Sequence, residues 1–149
     1  MAKLWARENP RKTEAKIPYV VGIAGGGTRS RAILTDENLN ILARAESGPA
    51  NYQAQGLEST RGSLAALTQK LFPGGIQPQR PAAVVAGLAG ASGPEDILIL
   101  EKAVGDAGLN VWRNVVSDAR VALDGGAGGA PGVLVIGGTG SMAYGINER

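Results

Sequence analysis

The sequence predicts an α/β fold: a mixed sheet that opens with a three-strand meander and carries helices on its faces. Three observations support this. The first 45 residues hold strand-length apolar or alternating runs joined by turn chemistry, with no helical period between them. Two later stretches repeat apolar residues at helical spacing, and each leads into a short β-branched run. The order β-β-β-α-β-α-β-α, closed by a β-turn-β, combines early hairpins with later crossovers, so the sheet should not be all-parallel.

Residues 18–25 read as a buried strand. Residues 28–35 alternate, with Ser30, Ala32 and Leu34 on one face and Arg29, Arg31 and Ile33 on the other. Asp36-Glu37-Asn38-Leu39-Asn40 is turn chemistry, and residues 41–45 form a third strand. A loop over 47–55 precedes a helix with Leu57, Leu64, Leu67 and Leu71 on one stripe. Pro73, Pro78 and Pro81 fill the next loop, and residues 83–88 are a fourth strand. Ser92-Gly93-Pro94-Glu95 has the S-x-x-E form of a capping box. It starts a second helix with Ile97, Leu100, Val104 and Ala107 inward and Gly108 as the stop. Residues 111–116 are a fifth strand, and Ser117-Asp118 open a third helix that gives out in a flexible glycine turn, 125–129. A strand over 133–136, a second glycine-rich turn at 137–141 and a short strand to Ile146 complete the chain.

A chain of 149 residues is expected to be one domain that buries about 70% of its unfolded surface. Residues 1–16 carry five Lys or Arg against two Glu and read as a polar, basic arm, leaving 17–149 as the folded lobe. The rest of the chain is slightly acidic, so a nucleic-acid surface is not supported. The absence of Cys excludes disulfides and thiolate metal sites. The absence of His removes Ser-His-Asp chemistry and imidazole bases. The longest uncharged apolar stretch, about 82–91, is too short to cross a bilayer, and the leader lacks a hydrophobic signal core. The expected location is therefore cytoplasmic, with no membrane partner.

Chemistry concentrates in two glycine-rich turns, Gly25-Gly26-Gly27-Thr28 and Gly137-Gly138-Thr139-Gly140-Ser141. A Walker loop needs a Gly-Lys pair, which the sequence lacks. A dinucleotide fingerprint needs its glycines to open a helix, and here a strand comes next. What remains is a hairpin turn whose bare amides and Thr hydroxyl can face a phosphate. One such turn is commonplace; two of the same design, each after a buried strand, point to phosphate.

The stretches AGGGTRSRAILTDENLNILARAESGPANY, GLAGA, VVSDARVAL and VLVIGGTGSMAYGIN resemble the sugar kinase, Hsp70 and actin superfamily, whose lobes have a ribonuclease H-like fold. Within it the sequence is most similar to N-acetylglucosamine kinases and the BadF/BadG/BcrA/BcrD ATPase family. The resemblance implies ATP-dependent phosphorylation of an amino sugar with Mg²⁺, this chain being the first lobe. It implies Asp118 as the base for the acceptor hydroxyl and as a sugar contact. It carries Gly26, Gly27, Thr28, Thr139 and Gly140 over as phosphate contacts, with Ser141 touching phosphate or sugar. Asn51 matches a sugar-binding asparagine. From the residues alone, Ser117-Asp118 also reads as a plain N-cap pair, Asn51 as a turn residue and Arg29 as a solvated strand-edge cation.

Two departures qualify that picture. Ala24 stands where such kinases carry Asp or Glu to help hold Mg²⁺, and an alanine side chain offers no oxygen to a hard cation. The chain also stops at Arg149, about where the first lobe would end, so a missing second lobe or a homodimer partner is expected. An iron–sulfur ATPase activator of a dehydratase is the same-class alternative, and zero Cys argues against it. A non-catalytic one-lobe binder of sugar or phosphate, or a regulatory module, is the alternative from a different class.

Overall fold

The computed structural model describes residues 19–76, 80–137 and 141–148; the basic arm, Pro78, Thr139 and Gly140 lie outside them. Five strands form the main sheet: β1 (Tyr19–Gly25), β2 (Ser30–Asp36), β3 (Ile41–Ser47), β4 (Ala83–Leu88) and β5 (Trp112–Ser117). Their order is β3-β2-β1-β4-β5, antiparallel through β1–β2–β3 and parallel through β1–β4–β5. This is the mixed sheet with an opening meander that the hairpins and crossovers predict.

The pleat sorts side chains between two layers. Val21 and Ile23, Ala32 and Leu34, Val84 and Ala86, and Val115 point to one face and are buried. Helices α2 (Leu57–Leu71) and α3 (Pro94–Asp106) cover that face with Leu64, Leu67, Leu71, Leu100 and Val104. Leu57 and Ile97 pack partly buried at its margin. Helix α4 (Asp118–Ala127) lies on the opposite face, against β4, with Ala119 and Leu123 buried.

Several local expectations change. The loop over 47–55 contains a single helical turn, α1 (Tyr52–Gln55). The second strand starts at Ser30, not at residue 28. The cap of α3 shifts by one residue: Gly93 is the N-cap, Pro94 the first helical residue, and Asp96 rather than Glu95 supplies the carboxylate. Gly125 and Gly126 are helical, and α4 ends only at Gly128, in the left-handed region (φ 60).

The last two strands, β6 (Gly132–Gly137) and β7 (Ser141–Ile146), do not join the main sheet. They pair with each other and pack on α4, and none of their described residues belongs to the buried core of the main sheet. Val133 and Val135 remain 73% and 74% exposed on this hairpin.

Candidate functional site

Strand register builds the site. Gly25 pairs with Leu88, and Leu88 with Ser117, so the C-terminal ends of the three parallel strands are level. The three segments that leave those ends are therefore gathered at one edge: the turn 26–29, the loop 89–93 and the start of α4. Ser30 pairs with Ser47, which brings residues 48–51 to the same edge. The C-terminal ends of parallel strands are where open α/β sheets bind ligands.

The three glycines of the first turn have different reasons. A Cβ on Gly25 would lie 2.7 Å from Leu88 Cδ2 and 2.8 Å from Ala50 Cβ, so packing alone requires glycine there. A Cβ on Gly26 would meet only Arg29 O, at 3.6 Å, and one on Gly27 would meet nothing within 4 Å. None of the three has positive φ. The fold's own sterics thus account for Gly25, while Gly26 and Gly27 keep an unoccupied approach to the backbone. Thr28 is exposed beside them. The turn is held by Gly26 N–H to Arg29 O (3.0 Å), Ala50 N–H to Gly26 O (2.9 Å) and Ala89 N–H to Gly25 O (2.8 Å). A side chain adds a fourth hold, Gln55 Nε2 to Gly27 O at 2.8 Å.

Asn51 caps α1, its Oδ1 accepting the Ala54 N–H at 3.3 Å. The turn reading of this residue therefore holds in the fold, and its place at the edge is kept too. Gly90, at φ 91, comes close enough that a Cβ would sit 3.3 Å from Asn51 Oδ1 and 3.2 Å from the Tyr52 ring. Gln53 Nε2 donates to Gly90 O (3.1 Å). The Tyr52 hydroxyl donates to Asp96, which also accepts from Ser92 N–H (3.1 Å) and Gly93 N–H (3.0 Å). The phenol's hydrogen bond, joined by those two amides against a desolvation cost, holds the Asp96 carboxyl below its usual range. The same bond holds the Tyr52 phenol above its own.

Asp118 is the first residue of α4, half-buried, with Oδ1 accepting from Ala119 N–H at 2.9 Å. Ser117 is the N-cap, accepting from Arg120 N–H at 3.2 Å. Both the capping geometry and the edge position are present, and a carboxylate is favoured where helix amides point outward. Gly87 admits this helix: a Cβ there would lie 2.5 Å from Val121 Cγ2 and 3.5 Å from Asp118 Cα. A cavity of about 420 Å³ opens beside Ser117, lined also by Ser92, Asn114, Arg120, Asp124 and Tyr144. Arg120 Nε bonds Asp124 Oδ2 at 2.7 Å, and that hydrogen bond raises the guanidinium's pKa. The turn 26–28 and Asn51 lie outside this lining.

Ala24 is exposed on the face that carries α4, paired with Gly87 on one side and Arg31 on the other. Arg31 Nε bonds Glu46 at 2.9 Å, and Arg29 reaches the same carboxylate at 4.0 Å. Arg29 is thus engaged at the strand surface. Among the described residues no three His, Cys, Asp or Glu come together as a metal centre. Asp118 at the start of α4 and Asp96 beside the loop 89–93 are the carboxylates near this edge. Asp96 is already engaged by Tyr52 and two amides, which leaves too few free oxygens to hold a hard cation without further ligands. Ser141 opens β7, paired with Gly137.

Sequence reasoning missed Gln55, Gly87 and the Tyr52–Asp96 bond. GLAGA announces Gly87 and Gly90 as unusual; nothing in the sequence announces Gln55.

Comparison with known proteins agrees with this architecture. The N-acetylmuramic acid/N-acetylglucosamine kinase of Clostridium acetobutylicum is 34% identical over 136 residues, covering 88% of this chain and 43% of that protein. A Chromobacterium violaceum structure, of a protein proposed to be an N-acetylglucosamine kinase, superposes with TM-score 0.64 at 26% identity, over 89% of this chain and 46% of that one. A Streptomyces griseus ROK family glucokinase, solved with glucose and AMPPNP, shares the fold at TM-score 0.57 and 20% identity, over 86% of this chain and 44% of that one. The chain spans less than half the length of each of these relatives. The fold is therefore that of a lobe of the actin-like sugar kinases. The family model of the BadF/BadG/BcrA/BcrD ATPases matches residues 21–149, and the chain belongs to that family.

Proposed function

We propose that the chain is the nucleotide-phosphate-binding lobe of an ATP-dependent amino-sugar kinase, the remainder of the site being supplied by a second lobe. The observation that carries this reading is the convergence of Gly26–Gly27–Thr28, Asn51 and Asp118 on one sheet edge. The relatives named as amino-sugar kinases supply the substrate class.

In this reading the exposed amides and hydroxyl of the first turn meet phosphate oxygens, as Thr139, Gly140 and Ser141 would from the second turn. Asn51 faces the sugar. Asp118 takes the proton from the acceptor hydroxyl: Ala119 N–H holds Oδ1, which orients the carboxylate and leaves Oδ2 for the substrate. Mg²⁺, arriving with the nucleotide, supplies charge neutralisation of the phosphates.

The test joins this chain to the remaining part of the Clostridium acetobutylicum kinase and monitors ATP-dependent phosphorylation of N-acetylglucosamine. Turnover is expected, with Asp118→Asn lowering kcat by about 10²-fold or more at little change in sugar KM. A variant within a few-fold of the parent removes Asp118 from the chemistry. A second reading, a non-catalytic one-lobe binder, is favoured by Ala24, which removes a carboxylate from the phosphate side. Under either reading the 149-residue chain alone should not turn over, because in-line holding of both reactants contributes roughly 7–11 kcal/mol.

A further inference from the structure

The peptide groups of the first turn are held one by one at their carbonyl oxygens. Ala89 N–H takes Gly25 O, Ala50 N–H takes Gly26 O, and Gln55 Nε2 takes Gly27 O. A trans peptide is planar, with its C=O and N–H directed oppositely. Fixing a carbonyl therefore fixes the direction of the next residue's N–H. The Gly26 N–H so aimed is spent on Arg29 O. The next two, on Gly27 and Thr28, donate to no other described residue, and both residues are exposed, so these amides are open to solvent or to a ligand. They point away from Ala50 and Gln55, on a turn where Gly27 and Thr28 are exposed and a Cβ on Gly27 would meet nothing.

From this geometry we infer that Gln55 is a positioning residue: its side-chain amide aims the Thr28 N–H at a bound phosphate oxygen. The inference rests on the reading that this turn meets phosphate. Gln55 does not touch the anion; it acts through the Gly27–Thr28 peptide. Its own place is secured by α1, which Asn51 caps and which Tyr52 and Gln53 tie to Asp96 and Gly90. One helical turn thus spans from the phosphate side of the edge to the sugar side. Ala50 holds its carbonyl through the backbone, so Gln55 is the hold that a substitution can remove.

The experiment titrates inorganic tripolyphosphate into the ¹⁵N-labelled 149-residue chain and records amide chemical shifts. The parent should show saturable shifts at Gly27 and Thr28. Gln55→Leu, similar in size but without the donor, should bind about three- to tenfold more weakly and lose the Thr28 shift preferentially. Gln55→Glu, which sets a carboxylate against Gly27 O, should bind more weakly still. Gln55 is exposed, so both variants should keep the parent spectrum elsewhere and a similar urea midpoint; a purely structural role would move the midpoint and leave the affinity. Equal affinity in parent and Gln55→Leu overturns the positioning role while leaving the phosphate reading intact. Absence of shifts at Gly27 and Thr28 in the parent overturns the phosphate reading, and this inference with it.

Discussion

Gly87 and Val121 meet so closely that a single methyl on the glycine would stand 2.5 Å from Val121 Cγ2. The contact sets how near α4, and with it Asp118, can lie to β4. Gly87→Ala should destabilise the chain by about 1–3 kcal/mol, the usual cost of overpacking. Val121→Ala should recover part of that loss in the double variant, as residues in direct contact are coupled. Urea unfolding of the four members of the cycle checks this, and simple additivity would show that α4 is positioned by something else.

A second pair of substitutions separates packing glycines from approach glycines. Gly25→Ala pushes against Leu88 and Ala50 and should cost about 1–3 kcal/mol. Gly27→Ala enters open space and should stay within about 0.5 kcal/mol of the parent. Its tripolyphosphate affinity should nevertheless fall, because the methyl stands where the ligand would approach. Equal stability losses for the two variants would contradict this division.

The Tyr52–Asp96 bond makes a prediction about acid. Asp96 has its folded-state pKa depressed, first by the Tyr52 hydroxyl and then by the Ser92 and Gly93 amides, with desolvation opposing. A depressed carboxylate contributes stability that is present above its ordinary value of 3.8 and lost as pH falls through the lower folded value. The urea midpoint should therefore drop below about pH 4 in the parent, and Tyr52→Phe should flatten part of that drop. An unchanged acid limb in Tyr52→Phe would show that the bond does not set the pH dependence.

Ala24 invites the opposite kind of change. Ala24→Asp would place a carboxylate beside Arg31, one strand away from Gly87 and on the side where α4 carries Asp118. In the chimeric two-lobe protein it should strengthen ATP binding in the presence of Mg²⁺ and not after chelation, read by calorimetry. A gain that survives chelation would mean that the new charge serves Arg31, and no gain would place position 24 outside the metal's surroundings.

Much of the fold was legible because its signals are local. Ser30, Ala32 and Leu34 alternate, and the Leu64–Leu67–Leu71 stripe has helical spacing, so period alone distinguishes strand from helix. The errors have equally physical causes. Four residues of α1 are too few to show a period. Pro94 takes the first helical position, which moves the cap of α3 to Gly93 and the capping carboxylate to Asp96. Gly125 and Gly126 cost about 1 kcal/mol each in a helix, yet α4 continues through them. The β-branched run of β6 and the glycine-rich turn after it identify a strand and a following partner, but which sheet a strand joins is a long-range fact. The sequence marks the first-turn glycines and Asp118, which the strand register gathers at one edge, whereas the Gln55–Gly27 bond joins residues 28 positions apart and has no local trace.

The strand order has a consequence for how the chain is made. β1 emerges first and ends in the middle of the main sheet, with β2 and β3 added outward on one side and β4 and β5 on the other. Each strand leaving the ribosome therefore finds an open edge, and none has to be threaded between two that are already paired. Because chains begin to fold while they are being synthesised, this sheet can grow in the order of translation, with the C-terminal ends of its three parallel strands all in place once Ser117 has emerged.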